Sequence, residues 1–158
     1  MILALSACLA SSTTFDTAES GAGGETGSEA YPAGPSGTAW ASPACAPDDG
    51  AAWSIVVGVS EDACEGVAAT STPFARLQIW SSAPVAGDVY DLAADEGSGA
   101  LYAEGSDAGP EDATAGVIVM EYADETSMQG QYALVFSDAS GVEGNFSATV
   151  CGGTAVCG

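Results

Sequence analysis

The stretch MQGQYALVFSDASGVEGNFSATV, residues 128–150, decides the fold class. Both of its halves, 128–136 and 142–150, alternate apolar with polar side chains, which is the period of a β-strand with one buried face. The residues between them, 137–141, are Ser, Asp, Ala, Ser and Gly, a composition typical of a turn. The stretch therefore predicts an antiparallel hairpin. Its second strand is expected to bury Phe146 and Ala148 and to expose Asn145 and its other polar residues.

A glycine precedes an aromatic residue by two positions in each half of this hairpin. Gly130 precedes Tyr132, and Gly144 precedes Phe146. Residues two apart in a strand share a face, and an aromatic ring can cover backbone that a glycine on the neighbouring strand leaves bare. The repeat predicts that the two strands are neighbours and that the rings pack in this way.

Short alternating segments of the same kind continue upstream of the hairpin. Five more are predicted as strands: 53–60, 74–81, 88–92, 100–103 and 115–122. The loops between them are rich in Gly, Asp and Ser, and no window carries a helical period. The sequence predicts an all-β domain over residues 40–158, an antiparallel sandwich or open barrel of about seven strands.

The N-terminal part of the chain has a different composition. Residues 9–39 are mostly Ser, Thr, Gly, Ala, Glu and Pro without apolar periodicity, which predicts a disordered linker. Before it, residues 1–8 read MILALSAC. The motif Leu5-Ser6-Ala7-Cys8 resembles the lipobox of bacterial lipoproteins, in which the signal is cut before the cysteine and the cysteine is lipidated. An ordinary secretory signal and a plain apolar tail are the alternatives.

The resemblance extends into the domain. The lipobox, the polar linker, the turn at 137–141 and the run from Gly144 to Cys151 together resemble small uncharacterised bacterial lipoproteins. That resemblance implies a lipid on Cys8 as the contact with a membrane. It also implies a place in the cell envelope, at the outer membrane or cell surface, and it brings no assigned activity.

Charge limits the partners. The chain has 22 acidic residues, one basic residue (Arg76), no His and a net charge of −21. Such a chain repels phosphate backbones, which excludes nucleic acid as a partner. Self-repulsion also predicts a soluble monomer, whose partner would be an unidentified protein or glycan.

The five cysteines divide into Cys8 and four that belong to the domain. In an exported protein, Cys45, Cys64, Cys151 and Cys157 predict two disulfides. If the strands form a simple meander, the first and the last run in the same direction, which favours Cys64–Cys151 and Cys45–Cys157. Two local bridges, Cys45–Cys64 and Cys151–Cys157, are the rival pairing.

No motif for catalysis is found. Without His or Lys a serine or cysteine nucleophile lacks its usual base, so we expect no enzyme and no cofactor. The tryptophans Trp40, Trp53 and Trp80 are candidates for a glycan face, with Trp53 assigned to the core and Trp80 expected to be the more exposed ring.

Loop carboxylates form three candidate calcium clusters, although none matches a known calcium loop and we therefore expect no metal site. The clusters are Asp91, Asp95 and Glu96; Asp107, Glu111 and Asp112; and Asp124 with Glu125. The sequence thus predicts an interaction or envelope-structural module, with a calcium- or glycan-binding adhesion module as the alternative.

Overall fold

The computed structural model describes residues 30–59, 64, 73–103 and 109–158. Within these residues the chain forms nine strands and one short 3-10 helix. The strands are β1 (Gly37–Cys45), β2 (Ala51–Val57), β3 (Phe74–Ile79), β4 (Val89–Asp91), β5 (Gly97–Tyr102), β6 (Glu111–Asp112), β7 (Ala115–Ala123), β8 (Ser127–Val135) and β9 (Gly141–Val150), and the helix is Leu92–Ala94. The all-β prediction is confirmed.

All nine strands belong to one sheet, in the order β4-β7-β8-β9-β1-β2-β3-β5-β6. The sheet is not closed into a barrel, because the short strands β4 and β6 remain as its two edges. Every neighbouring pair is antiparallel except β1 and β9, which run parallel. The sheet therefore has two antiparallel halves joined through the β1–β9 pair.

The two halves enclose one hydrophobic core. A side chain added at Gly99 on β5 would meet the side chain of Leu134 on β8, although these strands lie far apart in the sheet. The inward faces of the two halves therefore pack against each other, as in a sandwich. The largest side chains that are completely buried are Tyr132, Ile55, Leu77, Ile79, Ile118, Met120 and Leu134.

The β8–β9 hairpin has the predicted register. Gly130 lies directly opposite Phe146, and Tyr132 lies directly opposite Gly144. A Cβ atom at Gly130 would lie 2.8 Å from Cζ of Phe146, and one at Gly144 would lie 2.8 Å from Cε1 of Tyr132. Each ring thus occupies the space left by the glycine of the neighbouring strand, and the interpretation of the repeat is confirmed.

The strands do not follow a simple meander, so the condition that favoured the Cys64–Cys151 pairing is not met. β3 pairs with β5, whereas β4 crosses to the other half and pairs with β7. Residues 97–99, interpreted as part of a turn, begin β5. A Cβ at Gly97 would collide with the Gln78 carbonyl oxygen, so glycine here permits the close pairing of β3 and β5, whereas a Cβ at Gly99 would collide with Leu134 across the core.

The paired part of the chain also begins earlier than predicted. Ala33 bridges to Glu143, and β1 begins at Gly37, within the range assigned to the linker. This strand was not predicted because its fully buried residues, Ala39 and Ala41, are small and do not produce a clear alternation of large apolar and polar side chains. Residues 1–29, with the predicted signal and most of the linker, lie outside the described residues.

Candidate functional site

A cavity of about 440 Å³ lies at one end of the sandwich. β1, β3, β7 and β9 end there, and β2 and β8 begin there. The cavity is lined by Pro43, Trp53, Ser82, Ala83, Pro84, Ala123, Asp124, Glu125, Met128, Val150, Cys151, Gly152 and Gly153. We call it the end cavity. Small ligands commonly bind in concave sites of this size.

The floor of the end cavity is apolar, because it continues the inward face of the sheet. Pro43 and Trp53 are cross-strand partners on β1 and β2, and Ala123 and Met128 are partners on β7 and β8. Met128 is buried, and Trp53, Ala123 and Val150 are partly buried against the core. Trp53 thus has a place in the core, as predicted, and its ring also forms part of the cavity surface.

The rim is polar and exposed. It carries Ser82 from the β3–β4 loop and Asp124 with Glu125 from the β7–β8 turn. Because the sequence contains neither His nor Lys, no such base is available to activate the Ser82 hydroxyl. The rim can accept hydrogen bonds and attract positive charge.

The Asp124 carboxylate accepts hydrogen bonds from residues in and beside the β7–β8 turn. Its Oδ1 accepts hydrogen bonds from the backbone N–H groups of Thr126 (2.7 Å) and Ser127 (2.8 Å), and its Oδ2 accepts one from the Tyr122 hydroxyl. The carbonyl oxygen of Thr126 in turn accepts a hydrogen bond from the Val150 N–H (2.9 Å), which ties the turn to β9. These donors hold the pKa of the Asp124 carboxyl well below its ordinary value.

The titration of Asp124 gives a test of this turn. Its lowered pKa means that the ionised carboxylate stabilises the turn above the ordinary pKa of 3.8, and that this stabilisation is lost as the pH falls below that value. We expect the carboxyl carbon signal of Asp124 to titrate with a midpoint clearly below 3.8. Removing one donor in the variant Tyr122→Phe should raise the midpoint part of the way back. A midpoint at or above 3.8 in the unmodified protein would contradict the hydrogen-bonded turn.

The two disulfides lie at the same end of the fold as the cavity. Cys45, the last residue of β1, pairs with Cys157 (Cα–Cα 5.6 Å), and Cys64 pairs with Cys151 (Cα–Cα 5.4 Å). The predicted connectivity is therefore confirmed. Residues 152–156, which include part of the cavity wall, are held between the two bridges. Disulfides of this kind indicate an oxidising compartment outside the cytoplasm.

The predicted connectivity is observed without the meander that favoured it. β2 is antiparallel to β1, and β1 is parallel to β9, so the first predicted strand and the last run in opposite directions. Cys151 directly follows β9, and its N–H donates to the Ala41 carbonyl oxygen (2.7 Å). Cys64 reaches it from the long β2–β3 connection rather than from the end of a parallel strand.

Three carboxylates of the candidate calcium clusters, Asp91, Glu96 and Asp124, accept hydrogen bonds from nearby groups. Asp91 caps the 3-10 helix by accepting from the Ala93 N–H (2.9 Å), and a Glu96 carboxylate oxygen accepts from the Asp91 N–H (2.8 Å). Asp107 lies outside the described residues. Across the described part of the chain, no group of three or more His, Cys, Asp or Glu residues is arranged to hold a metal ion.

The remaining tryptophans do not form a common face with Trp53. Trp40 packs against a small cluster on the outward side of the sheet, with Val56, Val59 and Phe74. Trp80, expected to be the exposed ring, is half-buried, and its enclosed indole N–H has no acceptor among the described residues. The three rings therefore do not make a single glycan-binding platform.

Comparison with protein-family models, with curated proteins and with solved structures finds no match to this chain. In the described residues, no helix has the length and apolar character needed to span a membrane. The end cavity was not found from the sequence. Its one visible signal was Trp53, an aromatic residue on an inward face next to the start of a strand.

Proposed function

We propose that this chain is an extracytoplasmic lipoprotein, anchored through Cys8, whose β-domain acts as an interaction module. In this proposal the end cavity is the binding site, and the anchor keeps the domain at the cell envelope. The two disulfides support a place outside the cytoplasm. The lipobox at residues 5–8 and the polar composition that follows support the anchor.

The observation that carries the proposal is the position of the chain's entry into the domain. The N–H of Gly34 donates to the Glu143 carbonyl oxygen (2.7 Å), and the N–H of Glu143 donates to the Pro32 carbonyl oxygen (3.1 Å). Glu143 lies near the start of β9, whereas the end cavity lies at its finish. A ten-residue strand is about 30 Å long, so a lipid on the N-terminal side would leave the cavity on the far end, open to a partner.

The anchor is tested by labelling. The protein is expressed behind a leader sufficient for export, in cells fed a fatty-acid analogue. We expect the unmodified protein to take up the label and to partition into detergent, because acyl chains supply roughly 0.8 kcal/mol per buried methylene. The variant Cys8→Ser should do neither, while Ser6→Thr, which keeps the cysteine, should be labelled to a similar extent. Equal labelling and partitioning of Cys8→Ser would sink the lipoprotein proposal.

Glycan binding is the second candidate, and the observation that favours it is the Trp53 ring in the cavity lining. Aromatic rings in concave sites are common partners for the apolar face of a ligand. The polar groups of the lining decide between a glycan and another ligand.

A further inference from the structure

Several backbone donors around the end cavity are absent or already engaged. Pro43 and Pro84 have no N–H, and the N–H groups of Ala83, Asp124 and Cys151 donate to Ser81 Oγ, the Ser127 carbonyl oxygen and the Ala41 carbonyl oxygen. Ionised carboxylates at the rim only accept. A neutral sugar does not offset the negative charge of this rim, whereas a cation does.

The distribution of charge also favours a cationic ligand over a neutral one. The single basic side chain, Arg76, lies on β3 with its guanidinium 5.3 Å from the centre of the Tyr102 ring. Tyr102 packs with the cluster on the outward side of the sheet, away from the inward face that forms the cavity floor. The end cavity therefore has no basic side chain among its described lining residues, and the net charge of −21 favours the entry of cations.

Glu125 is the carboxylate best placed to meet such a cation. It lies on the rim beside Asp124, whose two oxygens already accept hydrogen bonds from the turn. Trp53, on the floor, offers an aromatic ring against which the apolar body of a ligand can pack. An apolar floor below an acidic rim suits a ligand with an apolar body and a positive end.

We propose that the end cavity binds an organic ammonium ion, with its apolar part on Trp53, Pro43 and Met128 and its ammonium group at the mouth beside Glu125. The volume of about 440 Å³ lies in the range of pockets that hold small ligands. This inference rests on the proposed function only in using the same cavity as the binding site, and it is independent of the lipid on Cys8.

The test is an NMR titration of the full chain with both disulfides formed. The probes are phenethylammonium, its uncharged counterpart 2-phenylethanol, and maltose. We expect phenethylammonium to shift the signals of the Trp53 indole and the Ala123 methyl group, and to bind at least about fivefold more tightly than 2-phenylethanol. Added salt should weaken the binding of the ammonium ion.

Two variants distinguish the effect of a charge at the cavity from the effect of the net charge of the protein. Glu125→Gln should weaken phenethylammonium binding by about three- to fivefold. Glu143→Gln removes the same charge at the opposite end of the fold and should change binding by less than about 1.5-fold. The ammonium proposal would be overturned by equal affinity for phenethylammonium and 2-phenylethanol, or by equal effects of the two variants. Preferential binding of maltose, or unshifted cavity signals at 10 mM of every probe, would also overturn it. None of these results bears on the labelling of Cys8, so the two proposals fail separately.

Discussion

Replacing Cys64 and Cys151 together by serine is expected to lower the free energy of unfolding by about 4–5 kcal/mol. The bridge joins residues 87 positions apart, and closing so long a loop removes much of the entropy of the unfolded chain. Domains of this size have total stabilities of about 5–15 kcal/mol. The double variant is therefore expected to be close to unfolded under mild denaturing conditions.

Urea unfolding of the oxidised protein and of the double variant gives the measurement. The matched comparison is the variant that lacks Cys45 and Cys157, whose bridge spans 112 positions and predicts a similar loss. A local Cys151–Cys157 bridge would close only about seven residues and would contribute about 2–3 kcal/mol. A loss below about 1 kcal/mol, or an unreduced peptide that joins Cys151 to Cys157, would contradict the long-range pairing.

Substitution of Gly130 by alanine is expected to cost about 3 kcal/mol, at the upper end of the range for overpacking a core. The new methyl group would collide with the Val119 carbonyl oxygen and lie 2.8 Å from the Phe146 ring. Neither neighbour can move freely, because Val119 is held in the β7–β8 ladder and the ring is buried. Gly144→Ala should behave similarly, since its methyl group would lie 2.6 Å from the Pro35 carbonyl oxygen.

The control for both glycine variants is Gly109→Ala. No atom of the described residues lies within 4 Å of a Cβ at Gly109, so the stability of this variant should stay within about 0.5 kcal/mol of that of the unmodified protein. Thermal or denaturant unfolding of the three variants measures the difference. If Gly130→Ala and Gly109→Ala unfold at the same midpoint, the packing of the rings over the glycines is wrong.

Local patterns in the sequence predicted the parts of the fold that depend on local alternation. In β9, Phe146 and Ala148 are buried while Asn145, Ser147 and Thr149 are exposed, as the period of two requires. The contacts of Gly130 and Gly144 with opposing rings also follow from spacing, because hairpin partners are close in the chain. Such features can be predicted without knowing where the remaining strands lie.

Features that depend on distant parts of the chain were not predicted by local patterns. β1 is held by β2 on one side and by β9 on the other, and its buried Ala39 and Ala41 carry little periodic signal. The end cavity combines residues at the ends of β1, β2, β7, β8 and β9 with the loop at residues 82–84. Only the order of strands in the sheet brings Trp53 and Glu125 to one place, and alternation does not determine that order.

The intact mass of the protein extracted from the membranes of cells that export it tests the central proposal most directly. We predict a mature chain that begins at Cys8, carries a diacylglyceryl group on that residue, and is four hydrogen atoms lighter than its reduced form because of two disulfides. Alkylation without reduction should then add no mass. A chain that retains Met1 and takes up alkylating reagent on all five cysteines would contradict both the anchor and the extracytoplasmic location.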